Sequence, residues 1–170
     1  DKFENNDTFA QSYSLPLNFI GNIANTNTFS SNCHIGTDND YYKISLPTGH
    51  NYTITPRLHD SFSSSNGNIY TIDGIFSYST DGLNWSNAFD DEISGNITVN
   101  NGGVIYFHVA PYFQGNIGTY LLDVNLTRTT TLGVQKNELA ENMKVYPNPT
   151  NSKIFFDNSI YNFENVSVLN

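Results

Sequence analysis

The chain has 170 residues and a net charge of −9, from 16 acidic and 7 basic side chains. That length suits one full hydrophobic core and part of a second unit, and the charge sets the surface against nucleic acids and anionic membranes. Cys33 is the only cysteine, which excludes an intrachain disulfide, a CxxC redox pair and a cysteine zinc site. No run of 18 apolar residues is present, so membrane insertion is not expected. The stretch Asp1 to Asp7 lacks the apolar core of a secretion signal, and the chain reads as a soluble, excised piece.

In chain order, the polar stretch Glu4-Asn5-Asn6-Asp7-Thr8-Phe9-Ala10 leads to Leu15-Pro16-Leu17, where the proline argues for a sheet edge. A short strand is predicted from Phe19 to Ile23, followed by a loop through Asn32. The stretch from Gly36 to Arg57 then predicts an acidic loop and a hairpin. Tyr42, Ile44 and Leu46 alternate with Tyr41, Lys43 and Ser45, and after Pro47-Thr48-Gly49 the residues Tyr52 and Ile54 alternate with Thr53 and Thr55. Asp38 and Asp40, with Asn39 between them, stand at the mouth of the first arm. Their oxygens are close enough along the chain to converge on a point that suits a hard cation.

Residues 69–79 predict a strand pair or one bent strand, and Asp81-Gly82 supplies a tight turn before Trp85. The run Ser79 to Trp85 resembles a shortened Asp-box, in which an aspartate ties up turn amides and a tryptophan packs below. Ile93 to Val99 and Val104 to Val109 predict two strands joined as a hairpin by Asn100-Asn101-Gly102-Gly103, residues that tolerate positive φ. In the second, Ile105, Phe107 and Val109 share one face and Tyr106 and His108 the other. From Thr119 to Leu126, Tyr120, Leu122, Val124 and Leu126 share a face. About seven or eight such strands with no helical period predict an all-β fold, an antiparallel β-sandwich of jelly-roll or immunoglobulin-like type. Its core is expected to hold Tyr42, Ile44, Tyr52, Ile54, Phe107, Val109, Tyr120 and Leu122.

The character changes near residue 128. Residues 1–127 read as the sandwich, 128–142 as a linker with little apolar pattern, and 143–170 as a truncated small β unit. In that last part Met143 to Thr150, Lys153 to Phe156 and Val166 to Leu169 are short strand candidates, too few to enclose a core. Residues 1–130 carry 12 acidic and 4 basic groups, so the acidity belongs to the sandwich.

The blocks Glu4-x-Asn6-Asp7-Thr8-Phe9-Ala10, Gly36-x-x-x-Asp40-Tyr41-Tyr42-Lys43-Ile44 and Gly118-Thr119-Tyr120-x-Leu122-x-Val124 come in the order seen in the bacterial pre-peptidase C-terminal (PPC) domain. Residues 1–127 resemble that family. The resemblance implies a β-sandwich attached to a secreted peptidase or other exported hydrolase, serving as an accessory module and not as a catalyst. Val145-Tyr146-Pro147-Asn148-Pro149-Thr150-Asn151 with Val166-Ser167-Val168-Leu169-Asn170 is similar to the start of the C-terminal sorting domain of the Bacteroidetes type IX secretion system. The later glycine-containing turn and terminal basic residues of that family are absent. Together the two resemblances imply a secreted or cell-surface protein of a Gram-negative bacterium and a partner in the type IX secretion machinery.

Collagenase members of the first family bind calcium between an acidic leading segment and the loop before the Tyr-Tyr strand. Carried over by position, the resemblance implies Glu4, Asn6, Asp7, Asp38 and Asp40 as calcium ligands, with Lys2 where those members have an acid. Tyr41, Tyr106, His108, Tyr112 and Phe113 are predicted on an outward face or in a loop, where they would form a ligand-binding surface for an extracellular protein or polysaccharide. His34, His50, His59 and His108 stand in no catalytic or metal-binding motif. The functional reading is a non-catalytic binding module of a secreted hydrolase, most simply a peptidase. The alternatives are a carbohydrate-binding module of a glycan-active enzyme and a structural spacer before the sorting signal.

Overall fold

The computed structural model describes residues 1–90 and 94–131, together with the strands Val145–Tyr146 and Phe155–Phe156. The chain divides into two compact units, Asp1–Leu132 and Gly133–Asn170. The first is an all-β sandwich whose strands are β1 (Tyr13–Ser14), β2 (Ile23–Asn27), β3 (Ser31–Cys33), β4 (Asp40–Leu46), β5 (His50–His59), β6 (Gly74–Ser79), β7 (Phe89–Asp90), β8 (Ile97–Val99), β9 (Gly103–Pro111) and β10 (Gly118–Thr130). One sheet has the order β1-β4-β9-β6-β7 and the other β2-β10-β5-β8, with β3 also pairing β10. All pairs are antiparallel except β1 with β4. Among the described residues a 3-10 turn, Phe9–Gln11, is the sole helical element. In the second unit β11 (Val145–Tyr146) and β12 (Phe155–Phe156) form an antiparallel pair. The candidate strand Val166 to Leu169 and linker residues 132–142 lie outside the described residues.

Alternation decides which side chains turn inward. Tyr42 and Ile44 from β4, Ile105, Phe107 and Val109 from β9, Tyr52 and Ile54 from β5, and Tyr120, Leu122 and Val124 from β10 are all buried in one core. Each large side chain removed from water contributes about 1.5–3 kcal/mol. β10 is the longest strand, and it pairs with β5 from Leu121↔His59 to Thr130↔His50. It therefore runs three residues into the stretch that reads as a linker, because Arg128, Thr129 and Thr130 need no apolar pattern to satisfy their backbone against β5.

Five local readings change. The arms on either side of Pro47-Thr48-Gly49 are not a paired hairpin: β4 pairs with β9 and β5 with β10, so the turn crosses between sheets. The connection Asn100 to Gly102 likewise carries β8 of one sheet to β9 of the other. The strand expected from Phe19 to Ile23 is instead β2, which begins at Ile23, and the region predicted as a loop through Asn32 contains β3. β3 is legible only in three dimensions, since one of its two inward residues, Ser31, is polar: its hydroxyl bonds the Tyr120 carbonyl at 2.9 Å and meets Thr28 Oγ1 at 2.9 Å. The strand expected over 69–79 starts only at Gly74, because the Asp60 carboxylate accepts the amides of Phe62 (2.9 Å) and Gly74 (3.2 Å) and holds 60–73 as a loop.

The two crossover turns lock together at one end of the sandwich. Gly49 N donates to Asn101 Oδ1 at 3.0 Å, and Asn101 N donates to Asn51 Oδ1 at 3.0 Å. Gly102 has φ +78°, and a Cβ there would lie 2.4 Å from the Pro47 carbonyl oxygen. Gly102→Ala is expected to destabilise the fold by more than about 1 kcal/mol, through both the left-handed backbone and the clash. An unchanged midpoint in urea unfolding would contradict this account of the turn.

Candidate metal centre

Residues 1–8 lie across the β3–β4 loop. Phe3 is buried and packs edge-to-face on Tyr13 (4.9 Å) and Tyr42 (5.5 Å). The Asp1 carboxylate accepts the amides of Phe3 and Asn32, both at 2.8 Å, and the Asn6 carbonyl accepts the Tyr41 amide at 2.9 Å. This segment brings Glu4 and Asn6 to the acidic loop before β4.

Each aspartate there has one oxygen engaged and one free. Asp38 Oδ2 accepts the His34 amide at 2.7 Å and lies 2.7 Å from His34 Nδ1, whereas Oδ1 is buried without a partner. Asp40 Oδ2 accepts the Tyr120 hydroxyl at 2.5 Å, and Oδ1 is buried without a partner. Tyr120 Oη is itself 2.6 Å from Tyr42 Oη. Both Glu4 oxygens are buried without a hydrogen bond, although Oε1 lies 3.2 Å from His34 Nδ1 and 3.7 Å from the Asp1 amino group. The Asn6 amide faces Asp40 and Tyr42 without forming a hydrogen bond of good geometry.

Asn6, Asp38 and Asp40 are essentially inaccessible to solvent, and a buried unpaired polar group costs about 1–3 kcal/mol. Burial raises the Asp40 carboxyl to about 7; the Tyr120 hydrogen bond opposes the shift, while the charges of Asp38 and Glu4 add to it. The Cys33 thiol, 3.8 Å from Asp40 Oδ2, is pushed far up by burial and then by Asp40, so it stands as a neutral thiol and not a soft ligand. The partnerless oxygens of Glu4, Asn6, Asp38 and Asp40 lie on two adjoining segments, and Asp38 links two groupings whose ligand atoms fall within 4.8 Å of one another, one with Glu4 and His34 and one with Cys33 and Asp40. Carboxylate and amide oxygens are the donors a hard divalent cation takes, at about 2.3–2.6 Å with backbone or water completing the shell.

One expected ligand stands apart, and Lys2, which replaces an acid of the resembled family, turns to other contacts. Asp7 is exposed and belongs to none of the acidic groupings whose ligand atoms lie within 4.8 Å of one another among the described residues. Lys2 reaches over the rings of Phe3 (4.8 Å) and Phe29 (5.9 Å). Conversely, His34 sits beside Glu4 and Asp38, and its spacing of four from Asp38 was the one available sequence signal.

The aromatic residues divide into two groups. On the outer face of the first sheet Tyr41 stacks on His108 (4.5 Å), and Trp85 meets both edgewise at 5.9 and 6.2 Å. Phe9 closes the cluster against Tyr106 at 4.8 Å. Trp85 is delivered by a loop in which Asp81 Oδ1 accepts the amides of Leu83 and Asn84, both at 2.8 Å. Tyr41, Trp85, Tyr106 and His108 are half-buried, whereas Phe9 at their edge is exposed. Tyr112 and Phe113 lie elsewhere, in the loop after β9, packed edge-to-face at 4.7 Å and well exposed. Between that loop and the acidic one lies a hollow of about 300 Å³ lined by Gly36 to Asn39 and by Ala110, Pro111, Tyr112 and Gln114.

No protein-family profile and no curated protein matches this chain. Among solved structures, it is similar to PliG of Salmonella Typhimurium, a periplasmic lysozyme inhibitor of g-type lysozyme, at 16% identity and a TM-score of 0.41 over 69% of this chain and 97% of that one. That likeness is too loose to assign a function.

In chelator the protein is expected to melt higher at pH 5 than at pH 8. The folded Asp40 value of about 7 exceeds the ordinary carboxylate value, so its stabilising protonation is complete at low pH and lost as pH rises through about 7. Asp40→Asn should flatten this part of the profile; a variant whose profile parallels the parent would exclude Asp40 as its source.

Proposed function

We propose that residues 1–132 form a calcium-stabilised, non-catalytic accessory module of a secreted bacterial hydrolase, most simply a peptidase, and that the region from 143 onward serves the type IX secretion machinery. The observation that carries the calcium reading is the set of buried, uncommitted oxygens on Glu4, Asn6, Asp38 and Asp40. Without a cation the partnerless oxygens of this set are desolvated and uncompensated; calcium would supply the missing partner and fasten residues 1–8 to the β3–β4 loop. His34 would orient Asp38, and Tyr120 would orient Asp40, each by holding the oxygen turned away from the ion.

The accessory and export readings draw on the block order and on the Tyr-Pro-Asn-Pro motif at 146–149. No helix among the described residues is long and apolar enough to cross a membrane. A protein substrate is favoured over a polysaccharide, because the rings of Tyr41, His108, Trp85 and Phe9 pack mainly edge-to-face and cover one another, leaving little flat surface for a sugar.

Millimolar calcium is expected to raise the melting temperature by roughly 5–10 °C, corresponding to about 2.7 kcal/mol at a hundredfold excess over Kd. Chelator should reverse the rise, and Asp38→Ala or Asp40→Ala should abolish it. Superimposable melting curves in calcium and chelator would remove the metal centre and favour the spacer reading.

A further inference from the structure

The loops 34–39, 60–73 and 112–117 leave the same end of the sandwich, where β4 and β6 begin and β5 and β9 finish. Backbone hydrogen bonds tie them together, Gly115 N to Gly36 O (2.8 Å) and Tyr112 N to Asp73 O (2.8 Å), and Ser61 N to Ile72 O (2.7 Å) closes loop 60–73 on itself. They present Ile35, Phe62, Ile69, Tyr112, Phe113 and Ile117, whose exposure runs from 50% at Tyr112 to 87% at Ile69. Half of the exposed large hydrophobic side chains among the described residues are therefore gathered in three connected loops. Scattered exposed apolar residues are ordinary; such a concentration at one end is not.

These loops contain no lysine or arginine. Carboxylate oxygens of Asp60, Asp73 and Asp90 lie within 4.8 Å of one another at the same end. Asp60 spends both carboxylate oxygens on the amides of Phe62 and Gly74, whereas the carboxylates of Asp73 and Asp90 accept no hydrogen bond from the described residues. The Asp73 carboxyl is raised by burial and by the neighbouring charges of Asp90 and Asp60, consistent with negative charge that nothing compensates. Its backbone carbonyl holds Tyr112, so the acidic and apolar features adjoin.

We propose that this end of the sandwich is a docking surface for a basic, apolar-bearing segment of another protein, which packs on Tyr112, Phe113 and Ile117 and places a lysine or arginine on Asp73 and Asp90. Charge complementarity selects this occupant. A second copy of the same end would bring like charges together, anionic lipids or glycans would be repelled, and a neutral glycan would leave both carboxylates without a counter-charge. The inference rests on the reading of the chain as a binding module, and it does not depend on the metal centre.

The test uses the whole chain and four immobilised probes: an alternating lysine–leucine peptide, a glutamate–leucine peptide of equal length, cellulose, and phosphatidylcholine vesicles. The lysine–leucine peptide is expected to bind saturably and more weakly as salt is raised. The double variant Tyr112→Ser/Phe113→Ser should weaken it about tenfold, and Asp73→Asn/Asp90→Asn by a similar factor. Asp123→Asn, on the other sheet, should leave binding unchanged, and circular dichroism would establish that every variant is folded. Equal loss in Asp123→Asn, no loss in either double variant, preference for the glutamate peptide or for vesicles, or no binding at all would each overturn the proposal. Binding to cellulose alone through Tyr112 and Phe113 would also overturn it while leaving the accessory-module reading intact.

Discussion

The chain of hydroxyls from Tyr42 through Tyr120 to Asp40 holds this sandwich and its candidate site to one geometry. Tyr42 stands on β4 of one sheet and Tyr120 on β10 of the other, and their hydroxyls meet at 2.6 Å in the dry interior. Each buried hydroxyl needs a partner, and leaving one unmade costs more than the bond itself returns. The stacking of the two sheets is thereby linked to the position of a single carboxylate, since Tyr120 terminates on Asp40 Oδ2. Core packing and the orientation of the Asp40 carboxylate are one constraint seen from two sides. Phe3, packed against Tyr42, extends that constraint to the leading segment and so to Glu4 and Asn6.

The two ends of the sandwich are built differently. At one, the turns Pro47 to Gly49 and Asn100 to Gly103 interlock through Asn51 and Asn101, with Gly102 in the left-handed region close against the Pro47 carbonyl. That end is closed by backbone and amide bonds. At the other, long loops carry uncommitted carboxylates and exposed rings, features that cost stability in isolation and make sense when something is bound. The cross-links among these loops hold the exposed side chains in a connected arrangement, which would lower the entropy lost in the proposed docking. The acidity evident in the composition is used there in two ways: as buried oxygens around Asp38 and Asp40, and as the less buried pair Asp73 and Asp90.

The sequence by itself determined the faces of the strands. Alternation is local and has period two, so Tyr42, Ile44, Tyr52, Ile54, Phe107, Val109, Tyr120 and Leu122 were legible as core without knowledge of any partner, and all are buried. The nearness of Asp38 to Asp40 was legible for the same reason. Tertiary structure alone decided which strands pair. An alternating strand has the same inward face whether the next one lies beside it or across from it, so β4 and β5 read as a hairpin yet belong to different sheets. It also decided the membership of the site, because Glu4, Asn6, His34, Asp40 and Tyr120 are brought together by folding over as many as 116 residues of chain. Asp7, adjacent to Asn6 in sequence, is exposed on the bent leading segment, and Tyr112 and Phe113 separate from Tyr41 and His108 because the loop after β9 leaves the sheet face. Local pattern specifies which way a side chain points; long-range pairing specifies what it meets there.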